Sequence, residues 1–482
     1  MCLKGAKECW MDQWIRVPLG SVGWLCVCVV LSGCLAPLKK VKAPVKVPGA
    51  FRHQGTLVLP AKWWKGFGDR QLSSLIEKGL KGNLDIRIAE ARLKQRLAIA
   101  KKAGASMYPS VSFNGSGGGG ANQVGSLFTV TAGLVANYEL DVWGRVRSGK
   151  DAARLDALAS QEALKAASIS LSGEVAIVWY QLVERYGQVA LIKKQMQTNK
   201  RSLSLLQSRF RLGQSTAPDI LQQQQLIEAQ RGELARVTFQ AEVLAHQLAV
   251  LLGRAPGQMA IPKIEQFASL PALPRTGLPS ALVRRRPDIR SAYLSVLASH
   301  RRVGVAIADQ FPRITLSGNA QFTPRWQNGF YIQNWLANLV AGLTAPLFDG
   351  GLRKAEVERT KAAAKEALHM YGKVILQAFQ EVENALVRER GQHKLIASLK
   401  RQLALARKVV ERTQFRYLNG ANNFLRVLDA LRSLQALERT HLTAQRDLWL
   451  YRVALCRALA GGWSSSGSLS NPTKTKKAQV DG

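Results

Sequence analysis

Proline is nearly missing from two long stretches of this chain. Only Pro218 lies between Pro109 and Pro256, and none lies between Pro346 and Pro472. Because proline removes a backbone donor and clashes with the preceding turn, nothing of that kind interrupts helices from about Arg145 to Leu212 and from Leu352 to Leu418. At 1.5 Å per residue each would be about 100 Å long. Acidic residues are also scarce, 32 against 68 lysines and arginines, for a formal charge of +36. No metal is expected, since the six histidines (His53, His246, His300, His369, His393, His441) are scattered without ligand spacing. The run Gly115–Gly120, "GSGGGG", has no Lys-Ser/Thr behind it, which excludes a phosphate loop and leaves a flexible hairpin as its reading. Catalysis finds no support, and no cofactor is expected.

The amino terminus sets the compartment. A short positive leader is followed by "SVGWLCVCVV" and then "LSGC", Leu31 to Cys34. About a dozen apolar residues are too few for a transmembrane helix, which needs about 20, and fit a secretory signal. Leu31-Ser32-Gly33-Cys34 resembles a bacterial lipobox, in which the cysteine thiol takes diacylglycerol. The expected signal peptide is 1–33. Cys2, Cys9, Cys26 and Cys28 leave with it, so Cys34 and Cys456 remain and no disulfide framework is possible. The same cleavage removes Lys4, Lys7, Arg16, Glu8 and Asp12, three cations and two acids, leaving +35. A tethered, exported protein seldom meets genomic nucleic acid, so none is expected as a partner, although "VRRRPDIR" alone fits a phosphate-binding patch. An acidic surround, or contact with anionic lipid and cell-wall material, both remain as readings of the charge.

The chain is internally duplicated. "NLDIRIAEARLKQRLAIAKKAGASMYPSV" from Asn83 aligns without a gap on "RPDIRSAYLSVLASHRRVGVAIADQFPRI" from Arg286, an offset of 203. Asp85 falls on Asp288, Arg87 on Arg290 and Pro109 on Pro312. Farther on the offset is 207, with Gly144 on Gly351, Arg209 on Arg416, Gly213 on Gly420 and Leu221 on Leu428. The four-residue change belongs to a loop or hairpin between them. Each half reads as a helix, two alternating segments and a long helical hairpin. Leu164, Leu171 and Val178, and again Val175, Leu182 and Val189, recur every seven residues, the period of a left-handed coiled coil. Gly213 and Gly420 mark the hairpin turns, where positive φ ends a helix.

The alternating segments are "YPSVSFNGS" and "SLFTVTAGLVANYEL" in the first half, "FPRITLSGNAQF" and "WLANLVAGLTAPLF" in the second. Their period of two is that of strands with one apolar face, about the nine to eleven residues that cross a bilayer. Four strands cannot close a barrel, and open edges are not tolerated in lipid. Several chains must therefore contribute: two copies give eight strands and three give twelve.

These features resemble the TolC-like outer-membrane efflux proteins, in the OprM/NodT-type lipoprotein branch that serves resistance-nodulation-division pumps. The resemblance rests on "WWKGFGDRQLSSLI", "NLDIRIAEARL", "YELDVWGR", "RRPDIR", "FPRITLSG", "PLFDGG" and "FRYLNGANNFLRVLDALRSL". It implies an α+β homotrimer with one twelve-stranded barrel in outer-membrane lipid and a periplasmic tunnel of antiparallel coiled-coil helices. It also implies a periplasmic adaptor and an inner-membrane RND-type pump as partners. The expected organisation is an extended segment 34–70, a first repeat 71–253, a Pro-rich linker 254–280, a second repeat 281–461 and a tail 462–482. By the same resemblance the second tip carries the periplasmic gate: Leu425 an apolar ring, Asp429 a carboxylate ring and Arg432 a tether. Arg426 departs from relatives that carry an acid there, and its repeat partner Asp219 is a candidate ion-pair partner. Asp288 is expected to cap the helix after the three arginines. The function implied is a passive exit duct, not an enzyme. A basic coiled-coil scaffold without a pore is the alternative; a cell-wall enzyme on a helical rod would need an acid-base pair in a cleft.

Overall fold

The computed structural model describes residues 43–52, 55, 56, 60, 62–258 and 261–459. Cys34, the expected signal peptide and the tail 462–482 lie outside the described residues. The chain divides into two compact units.

One unit, residues 101–151 and 300–361, is built on an antiparallel sheet. Its strands are β1 (Ser110–Asn122), β2 (Gly125–Leu140), β3 (Arg313–Phe322), β4 (Arg325–Gln327), β5 (Phe330–Ile332) and β6 (Trp335–Thr344). The four long strands lie in the order β1-β2-β3-β6. The two repeats therefore meet within one sheet, Leu140 opposite Ile314. Strands β3 and β6 have 10 residues each, whereas β1 and β2 run to 13 and 16. The extra hairpin β4–β5 falls where the repeat offset changes, and it pairs with Leu127–Thr129 of β2. The glycine run is not the flexible loop of the hairpin: Gly115 to Gly120 are paired residues of β1, opposite Ala132 to Leu127, and the turn falls at Gln123 and Val124. Regular backbone pairing overrides the flexibility of glycine. Among the described residues β1 and β6 each have an unpaired outer edge.

Both repeats leave the sheet through an aspartate. Asp141 accepts from the backbone N–H of Val146 and Arg147 at 2.8 Å each, and Asp349 from Gly351 at 3.0 Å and Arg353 at 3.3 Å. Each carboxylate thus satisfies free donors at the positive end of a long helix. Gly144 (φ 73°) and Gly351 (φ 89°) make the turn. Trp143 stacks on Phe311 with centroids 4.9 Å apart and donates to the Pro312 carbonyl at 2.7 Å.

The other unit is helical. The chain's helices are α1 (Arg70–Gly82), α2 (Leu84–Ala105), α3 (Arg145–Arg211), α4 (Ala217–Leu251), α5 (Pro279–Arg285), α6 (Pro287–Ala308), α7 (Leu352–Leu418) and α8 (Phe424–Leu459). Helices α3 and α7 have 67 residues each, as the missing prolines allow. One stretch of α3 is apolar enough to cross a membrane by length and composition, but most of it is buried within the protein. Leu171, Val175, Val178 and Leu182 lie in the core with Trp63, Trp64, Phe67, Tyr180 and Trp449. Rings dominate this cluster, with Tyr180 and Trp449 4.5 Å apart. Asp69 caps α1 through Leu72 N–H at 2.9 Å and receives the Trp179 indole at 2.9 Å, so the residue that ends "WWKGFGD" ties α1 to α3.

The arginine cluster has a structural role. Arg285 donates to the Leu459 carbonyl at 2.7 Å and Arg286 to Ala458 at 3.3 Å, placing two cations at the negative end of α8. Asp288 is not the N-cap residue of α6, but from inside the first turn it does meet the helix's positive end: its Oδ1 accepts from Ile289 N–H at 2.9 Å. The same carboxylate accepts from Arg286 at 2.6 Å, while the Arg286 guanidinium also pairs with Glu381 at 2.8 Å. In the first repeat the cap is Asn83, whose side-chain oxygen takes the N–H groups of Asp85 (2.8 Å) and Ile86 (3.2 Å). The repeat replaces Asn83 by Arg286, so the cap acceptor is lost and Asp288 divides its carboxylate between Ile289 N–H and the Arg286 guanidinium.

Candidate functional site

The two hairpin tips have matched backbones. Gly213 (φ 69°) follows α3 and Gly420 (φ 73°) follows α7. Next to each, a six-residue hydrogen bond closes the helix end: Gln214 N–H to Arg209 at 2.8 Å and Ala421 N–H to Arg416 at 2.8 Å. Leu206, Leu226, Val410, Phe424, Val427, Leu428 and Leu431 form one apolar cluster under both turns. The Arg209 guanidinium lies over the Tyr417 ring, 5.1 Å from its centroid, and joins the first hairpin to the second.

The residues expected at the gate point out of this cluster. Leu425, Arg426, Asp429 and Arg432 are exposed, while Val427, Leu428 and Leu431 between them are buried. The four residues therefore share one face of α8. Arg432 reaches Gln225, its own repeat partner, at 3.5 Å, a long tether between the hairpins. Asn423 caps α8 through Arg426 N–H at 3.4 Å. Asp219 is engaged in the cap of α4: its Oδ2 accepts from Thr216 N–H at 3.0 Å and from the Ser215 hydroxyl at 3.2 Å. Among the described residues Asp219 and Arg426 form no ion pair within one chain. The cap was legible in Thr216-Ala-Pro-Asp219, an S/T-x-x-acid pattern, whereas the Gln225 and Arg209 contacts had no local signal.

A buried polar seam joins α3 to α8. Glu184 accepts from Thr443 at 3.1 Å, with Arg446 at 3.8 Å. Gln188 donates to the Arg439 carbonyl at 3.0 Å. Gln195 donates to Glu438 at 2.8 Å and receives Arg439 at 3.0 Å. Asn199 receives Gln435 at 3.2 Å. Among the described residues no group of three or more His, Cys, Asp or Glu could hold a metal ion.

A model of the family described as outer membrane efflux protein matches residues 75–254 and again residues 278–461. The chain belongs to the outer membrane efflux protein family. Each half matches by itself, as a duplicated efflux protein must. The pyoverdine export outer membrane protein OpmQ of Pseudomonas aeruginosa is 30% identical over 92% of this chain and 97% of its own length. The cation efflux system protein CusC of Escherichia coli is 28% identical over 91% and 98%. Among solved structures, the outer-membrane channel OprN superposes with a TM-score of 0.81 at 28% identity, covering 88% of this chain and 99% of its own. This efflux protein is an outer-membrane channel with a periplasmic helical part, and the family is one of channels.

Proposed function

We propose that three copies of this chain close one twelve-stranded barrel in the outer membrane and one periplasmic tunnel, the passive exit duct of a tripartite pump. The sheet, whose four long strands end in β1 and β6 with an unpaired outer edge on each, carries this reading. Each free edge needs a partner in lipid, and pairing β6 of one copy with β1 of the next supplies it around a closed ring. Energy comes from an inner-membrane RND-type transporter joined through a periplasmic adaptor. OpmQ is named for pyoverdine export and CusC for cation efflux. Their cargoes differ while both resemble this chain to a similar degree, which supports a duct whose cargo the pump selects.

At the tips, Leu425, Arg426 and Asp429 are the gate, Arg432 ties it to the first hairpin, and Cys34 carries the lipid. Asp219 uses Oδ2 for its cap and keeps Oδ1 for an Arg426 of a neighbouring copy. The test is single-channel conductance of the purified protein in planar bilayers, together with its native mass. A stable monomer without conductance would leave the scaffold reading instead.

A further inference from the structure

The internal repeat supplies a template for the contact between copies. Within one chain α3 of the first repeat packs on α8 of the second, with Glu184 by Arg446 (3.8 Å) and Gln188 by the Arg439 backbone (3.0 Å). In a closed ring the operation that carries the first repeat onto the second also carries the second onto the first repeat of the next copy. The α3–α8 contact then recurs as a contact between α7 and the neighbouring α4. At the offset of 207 Glu184 becomes Gly391, Gln188 becomes Leu395, Arg439 becomes Gly232 and Arg446 becomes Phe239.

Two large-to-small matches follow. Phe239 of the neighbouring copy falls on Gly391, and Leu395 falls on Gly232 of the neighbouring copy. Phe239 and Leu395 are 55% and 48% exposed in the single chain, and other apolar residues of the same two helices, such as Val243 and Leu405, are exposed too. Gly232 and Gly391 lie inside long helices, where glycine is unfavourable relative to alanine. A Cβ at either position would meet nothing within 4 Å, so packing inside the chain does not explain either glycine. The partners in the template are polar, Glu184 and Gln188 buried and Arg439 and Arg446 half-buried; those in the image are glycine, leucine and phenylalanine on exposed helix faces. The two kinds of seam differ in chemistry, which keeps either hairpin from taking the other's place.

We infer that a second copy of this chain docks on α7 through α4, with Phe239 seated at Gly391 and Leu395 seated at Gly232. The inference rests on the proposed ring of copies and adds its register. Gln402, the image of Gln195, then faces Glu228 and Arg231 of the neighbouring copy, so one amide position is retained between the seams.

The experiment is disulfide trapping in the full-length protein. Phe239→Cys with Gly391→Cys, and separately Gly232→Cys with Leu395→Cys, should each give a reducible covalent trimer on a denaturing gel. The band should be at least about tenfold stronger than in any single variant or in the off-register pair Phe239→Cys with Ala406→Cys, about 22 Å farther along α7. Burial pushes the native Cys456 thiol up to about 12, so it stays out of the exchange. Gly391→Trp should lower the native trimer yield about tenfold, and adding Phe239→Ala should restore it. A trimer by native mass with neither in-register pair crosslinking, or with the off-register pair crosslinking equally, overturns the register while the ring stands. A wild-type protein that is monomeric by native mass overturns both.

Discussion

Arg452 on α8 and Glu389 on α7 form an ion pair inside the second hairpin, 3% and 4% exposed. The Arg452 Nε lies 3.0 Å from one carboxylate oxygen and 3.1 Å from the other. The far side of the same guanidinium donates to the carbonyls of Pro271 and Ala272, the latter at 3.0 Å, so one residue fastens the linker between the repeats to the second hairpin. Glu389→Ala leaves a buried, partly unpaired cation and is expected to cost about 3 to 5 kcal/mol. Glu389→Leu with Arg452→Met is expected to cost less than either single change, because no charge is stranded, although two linker carbonyls lose their donor. Thermal midpoints of the purified variants check the order.

Lipid attachment is the second prediction. If Cys34 carries diacylglycerol, Cys34→Ser blocks incorporation of a palmitate analogue and alters signal processing, while the barrel keeps the protein in the outer membrane. Unchanged labelling of the variant removes the lipobox reading without touching the channel.

His441 on α8 gives a pH dependence. Burial first, and then the cations Lys400 and Arg407 on α7, hold its pKa below the ordinary 6.5. Glu438 lies 3.9 Å from Arg407 and offsets part of that field. The unfolded chain therefore takes up the proton first as pH falls. Stability is complete above about pH 6.5, declines as pH drops toward the lower folded value and then levels off. His441→Gln is expected to flatten this part of the profile, read as the thermal midpoint between about pH 7.5 and about pH 5.

The helices, the turn glycines and the four long strands could be read locally, because proline, positive φ and period two act within a few residues. Gly213 and Gly420 are such positions. The α3–α8 seam could not. Gln188, Gln195 and Asn199 look solvent-facing by type, and their burial comes from partners such as Arg439, Glu438 and Gln435, more than 230 residues away in sequence. Asp288 was half legible: an acid in a first turn reads as meeting the helix's free N–H groups, and it does take Ile289 N–H, but a neighbouring guanidinium shares its carboxylate. At the tips the sequence marked Arg426 and Asp219, yet the Thr216 cap that already holds Asp219 decides how either can act.

The last prediction concerns the gate. Three Arg426–Asp219 pairs between copies, Arg426 exposed and Asp219 half-buried, each worth about 0.2 to 1 kcal/mol as surface pairs, sum to roughly 1 to 3 kcal/mol if they add, enough to shift a two-state gate roughly five- to a hundredfold. Arg426→Asp is therefore expected to raise the open fraction of single channels in planar bilayers. Asp219→Arg restores the opposite charge in the same chain but removes the acceptor for Thr216, which costs about 1 kcal/mol of helix stability. The double variant should close again with a lower thermal midpoint. Asp219→Glu separates the two roles, since a longer carboxylate can reach across to Arg426 while serving the cap less well. If Arg426→Asp stays as closed as the wild type, the ion pair is not part of the gate, and Leu425 and Asp429 remain to be tested as rings of their own.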